Sequence, residues 1–125
     1  MKRSAIFYAM LGLGGCTTIP SDPVVMEMSK RDVTCVEGAD CDAKWSRAVS
    51  WVAQNSHWKI QTQTNNLIQT MGPFDSTDAA FTITKVASGN GTYTILFNAG
   101  CGNIFGCLPS IPGLKVMFNQ FVDPQ

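Results

Sequence analysis

Charge is scarce in this chain. Only 14% of its 125 residues are charged, nine basic against nine acidic. Nothing gathers the basic residues into a stripe, so a nucleic-acid partner is not expected. Histidine occurs once, at His57. A general base needs a nucleophile within hydrogen-bond reach, and the chain holds no Gly-x-Ser-x-Gly elbow. A metal centre would need several such ligands, and CxxC spacing is absent as well. Gly100, Gly102 and Gly106 come without the spacing and the lysine of a phosphate cradle. The expectation is therefore no enzyme, no metal and no cofactor. Long apolar runs are missing too. Residues 5–13 form one short run, well below the about 20 residues that cross a bilayer.

That short run is nevertheless the most informative stretch. Lys2 and Arg3 precede it, and Leu13-Gly14-Gly15-Cys16 closes it. A positive start, an apolar middle and small residues at the end have the layout of a secretory signal. The four closing residues resemble the lipobox of bacterial lipoproteins. The resemblance implies that Cys16 receives a diacylglycerol thioether, that residues 1–15 are removed, and that the new amino terminus is acylated. Thr17, in place of Asp, resembles the outer-membrane sorting pattern of enterobacterial lipoproteins. The implied location is the cell envelope, on the outer membrane and facing the periplasm. Several acyl chains on one cysteine anchor stably where one would be marginal. Removing Lys2 and Arg3 leaves seven basic against nine acidic residues, a formal net charge of −2.

Four cysteines remain: Cys35, Cys41, Cys101 and Cys107. An even number in an exported chain points to disulfides, with three pairings open. Spacing favours Cys35 with Cys41 and Cys101 with Cys107, two loops of the form C-x5-C. Loops this short each contribute about 2 kcal/mol by restricting the unfolded chain.

Residues 16–34 read as the lipidated cysteine and a flexible tether, because Pro20 and Pro23 oppose a helix. Residues 35–125 read as one domain. After a turn-rich loop, Asp42 is a natural cap for a helix over 43–54, with Trp45, Ala48, Val49 and Val52 at helical spacing. From Trp58 the period changes to two. Asn65-Asn66 suits a hairpin turn because asparagine tolerates positive φ. Further strands are expected over 67–71, 80–87 and 92–99, the last two joined by Ser88-Gly89-Asn90-Gly91. Ser110 caps a last helix with Pro112 in its first turn and Leu114, Met117, Phe118, Phe121 and Val122 as its apolar face. The order αββββα predicts an α+β fold: a two-layer sandwich, with two helices packed on a four-stranded antiparallel sheet.

The Trp-bearing helix, the strand at Trp58-Lys59-Ile60 and the loop Cys101-Gly-Asn-Ile-Phe-Gly-Cys107 together resemble a group of small proteobacterial lipoproteins. That resemblance transfers no catalytic residue. Among polar groups, Asp75 and Asp78 bracket Ser76-Thr77 and suit turn chemistry. What remains is contact. Trp51 lies off the apolar stripe of its helix, either covering a neighbouring element or standing in a contact surface. Ile104 and Phe105 sit at the tip of the second loop, either presented to a partner or folded back over the core. The expected role is a non-catalytic accessory or binding module with an envelope protein partner. Lipid or small-molecule binding between sheet and helices, or inhibition of a cell-wall lytic enzyme, are the alternatives.

Overall fold

The computed structural model describes residues 22–125. Cys16, the residues 1–15 expected as a signal, and Thr17 lie outside the described residues. Three helices and five strands follow in the order α1 (Pro23–Ser29), β1 (Val33–Val36), α2 (Ala39–Asn55), β2 (Ile60–Gln63), β3 (Leu67–Thr70), β4 (Ala80–Gly89), β5 (Thr92–Gly100) and α3 (Ile111–Val122). The fold class is α+β, as expected. The sheet is antiparallel throughout, in the order β1-β5-β4-β3-β2.

A cluster of aromatic rings explains how the layers meet. Trp51 of α2 lies edge-on to Phe81 of β4 at 5.3 Å, Phe97 of β5 at 5.9 Å and Phe118 of α3 at 5.4 Å. Phe97 also meets Phe118 at 5.1 Å. Two helices that share these rings must lie on the same face of the sheet. Ile68, Ile83 and Ile95 extend the core across β3, β4 and β5, all three fully buried. On the opposite face, Thr82, Thr84, Thr94 and Leu96 are half-exposed. Arg47 of α2 donates to the Val122 carbonyl at the end of α3 (2.8 Å), placing a cation where the helix dipole is negative.

Several expectations need correction. Trp51 is 3% exposed and belongs to the core, so it is not a contact residue. α2 faces both the sheet and α3, which widens its buried arc beyond the stripe expected of a helix with one neighbour. The sheet has five strands, because Val33 and Cys35 point inward from β1, which pairs with β5. The stretch 22–34, expected as tether, carries α1 and the start of β1. Pro23 stands at the first helical position, where its missing N–H is harmless, and Asp22 accepts from the Val24 amide at 2.9 Å. α2 begins four residues before the expected 43, after Gly38 at φ 104°, so Asp42 lies in its first turn and is not its cap. No residue but glycine has positive φ among the described residues. The β2–β3 turn is held instead by Thr64 Oγ1, which accepts from the Asn66 and Leu67 amides.

Other readings match. The cysteines pair as Cys35–Cys41 and Cys101–Cys107, with Cα separations of 4.9 and 5.5 Å. Ser110 Oγ accepts from the Gly113 amide at the start of α3. Leu114, Phe118 and Val122 are buried, while Met117 and Phe121 remain partly exposed.

Candidate functional site

The register of the β4–β5 pair fixes what lies at each end of the molecule. Ala80 pairs with Gly100, so the loop 71–79 and the loop 101–110 leave the sheet side by side. The Gly89–Thr92 hairpin end, with Val36 beside it, is opposite.

At the Gly100 end the two loops are fastened together through backbone groups. Asn103 Nδ2 donates to the Ser76 carbonyl at 2.6 Å and the Gly106 carbonyl at 3.1 Å. Its Oδ1 accepts from the Phe105 amide at 2.7 Å. The Leu108 amide donates to the Thr77 carbonyl at 3.0 Å. Gly102 lies so close beneath Phe74 that a Cβ there would overlap the Phe74 carbonyl. Only glycine permits that approach. One asparagine, one glycine and one disulfide therefore set the shape of this loop.

The loop carries its apolar side chains outward. Ile104 is 93% exposed and Phe105 is 87% exposed. Phe105 does not fold back over the core. Leu108, Phe74 and Met71 add partly exposed apolar surface at the same end. Phe74 packs on the Trp58 ring (4.8 Å), and Trp58 Nε1 donates to the Asp78 carbonyl (3.3 Å). Isolated exposed apolar residues are ordinary, but contiguous ones rimmed by polar groups mark interaction sites. Here the rim is His57, Lys59, Asp75 and Asp78. Between Lys85 and Lys115 the chain has no charged residue, nor from Ile60 to Phe74. That double gap in the charge pattern was the sequence signal for a charge-free apex.

His57 lies beside a carboxylate. Its Nδ1 lies 3.9 Å from Asp78 Oδ2, while Ser76 Oγ donates to the same carboxylate oxygen at 3.0 Å. Ser76 thus bonds the carboxylate and shows no hydrogen bond to the imidazole, as a turn-stabilising serine does. His57 and Asp78 are well exposed, where such a pair contributes little. Among the described residues no group of three or more His, Cys, Asp or Glu side chains could hold a metal ion. No described helix is long and apolar enough to cross a membrane.

The interface between the sheet and helices α2 and α3 is filled by Trp51, Phe81, Phe97 and Phe118. A cavity of about 450 Å³ lies elsewhere, between the α1–β1 connection and α3, lined by Met28, Arg31, Val33, Val116, Asn119 and Gln120 among others. No family model, no curated protein and no solved structure matches this chain.

Proposed function

We propose that this chain is a lipid-anchored lipoprotein of the bacterial envelope, whose α+β domain is a non-catalytic binding module working through the Cys101–Cys107 tip. One observation carries the reading of the module. Two large apolar side chains, Ile104 and Phe105, stand almost fully exposed on a loop held by its own disulfide and asparagine. A rigid loop presents apolar groups to a neighbour without the ordering cost that a mobile one incurs on binding. The anchor rests on Leu13-Gly14-Gly15-Cys16 after a short apolar run, and residue 17 favours the outer membrane, facing the periplasm. A protein of the envelope is the expected partner of the remaining surface.

Metabolic labelling with an alkyne fatty acid tests the anchor. The wild-type chain should take up label and sediment with membranes, and Cys16→Ser should do neither. Label on Cys16→Ser, or a wild type without label, would overturn the lipoprotein reading.

A further inference from the structure

Three features of the tip suit a lipid surface. Its apolar groups are convex and exposed rather than lining a groove: Ile104 and Phe105 at the apex, Leu108, Phe74 and Met71 behind them. Part of its backbone is paired within the loop, since the Phe105 amide and the Gly106 carbonyl both bond to the Asn103 side chain. Hydrocarbon offers no partner for free amides and carbonyls, so each internal bond at the apex lowers the cost of a shallow entry. The segments that build the tip contain no Asp, Glu, Lys or Arg from residue 60 to 74 or from 86 to 114. A protein interface draws specificity from placed charges and hydrogen-bonding side chains, and the apex of this tip offers neither.

Chain length supplies an independent argument. With α1 starting at Pro23 and capped by Asp22, only residues 17–21 separate Cys16 from the folded domain. Six Cα steps reach at most about 21 Å. A tether that short keeps the domain beside the bilayer, within reach of a second contact. Trp58 and Phe74, packed edge-on behind the apex, would then lie at headgroup depth, where aromatic rings favour the interface. The polar rim of His57, Lys59, Asp75 and Asp78 would stay in water.

We infer that the Cys101–Cys107 tip is a second membrane contact, inserting Ile104 and Phe105 into the bilayer to which Cys16 is anchored. Lipid at one point and the tip at another orient the domain, turning its Gly89–Thr92 end away from the membrane. This inference rests on the lipoprotein reading.

The test places the photocrosslinker p-benzoylphenylalanine at position 105, or at Val36, in the full chain expressed in a Gram-negative host. Val36 is 58% exposed at the opposite end. After irradiation, mass spectrometry identifies adducts, and the N-terminal peptide of the same sample reports acylation of Cys16. Lipid adducts at 105 should exceed those at 36 by roughly tenfold, as expected if one position lies in the acyl boundary and the other in water. With Cys16 acylated, a protein adduct at 105 without lipid overturns the inference and makes the tip a protein-docking element. Equal yields at the two positions, or no adduct at 105, overturn it and leave the anchor standing. An unacylated Cys16 overturns both.

Discussion

The Cys35–Cys41 and Cys101–Cys107 loops enclose the same number of residues and have Cα separations of 4.9 and 5.5 Å, yet they end in opposite environments. Cys35 and Cys41 are each 3% exposed and belong to the core; Cys101 and Cys107 only pack against its edge. The difference comes from what flanks each pair. Cys35 lies in β1 and Cys41 in the first turn of α2, so two regular elements carry that bridge inward. The 101–107 loop has an element only before it, β5, and returns through Leu108 and Pro109 before α3 begins. Each loop has its own brace as well. Asp40 Oδ2 accepts from the Val36 amide across the first (2.8 Å), and Asn103 spans the second. Equal spacing therefore predicts pairing, whereas the neighbouring elements decide destination.

The strongest way to sharpen this contrast is to truncate one aromatic residue from each environment. Trp51→Ala removes a ring that touches Phe81, Phe97 and Phe118, and should lower the unfolding free energy by about 3–5 kcal/mol. Phe105→Ala removes a ring already in water and should change it by no more than about 0.5 kcal/mol. Urea titration of both variants checks the pair. A Trp51→Ala protein as stable as wild type would mean that the aromatic cluster does not hold the layers together.

These two residues also show where the sequence was legible and where it was not. Both were candidates for contact, and only geometry separated them. The helical stripe through Trp45, Ala48 and Val52 left Trp51 aside, because a sequence shows one amphipathic face and not the second neighbour α3. The meander β2–β5 could be read from period-two alternation and its turns. β1 could not: it is four residues long, joins a strand more than sixty positions later at Val33↔Ile95, and starts the disulfide loop. α1 was hidden by counting Pro23 as a breaker, although its position directly after Asp22 makes it a helix start. At the tip, the residues were legible and their direction was not. Phe105 points outward because Asn103 and Gly102 fix the loop against residues 74–76, a long-range fit without periodicity.

Removing each bridge should break the symmetry of the two loops. Cys35→Ala with Cys41→Ala, and Cys101→Ala with Cys107→Ala, each release a loop of equal length, about 2 kcal/mol in both cases. The first pair also empties sulfur from the core, adding about 1 kcal/mol. Thermal unfolding should rank the first double variant below the second. The second should instead show faster hydrogen exchange at the Phe105 amide, with the core amides unchanged. Equal melting temperatures would indicate that the core bridge contributes nothing beyond loop closure.

The smallest effect separates the loops by their braces, one ionisable and one neutral. The Val36 amide that Asp40 accepts, together with Lys44 Nζ at 3.4 Å from the same oxygen, holds the carboxyl below its ordinary value of 3.8. A carboxyl whose folded value is depressed stabilises the fold above its unfolded value, and that contribution disappears as pH falls through the folded one. The Cys35–Cys41 loop should thus weaken in acid. Asn103 does not titrate, so the hydrogen bonds it makes across the Cys101–Cys107 loop persist. In Asp40→Asn the side chain keeps its shape and loses its charge. Wild type should be the more stable of the two at neutral pH, with the gap closing between about pH 5 and pH 2. Urea titrations at the two ends of that range test this. A gap that survives unchanged in acid would show that Asp40 braces its loop by shape alone, as Asn103 does.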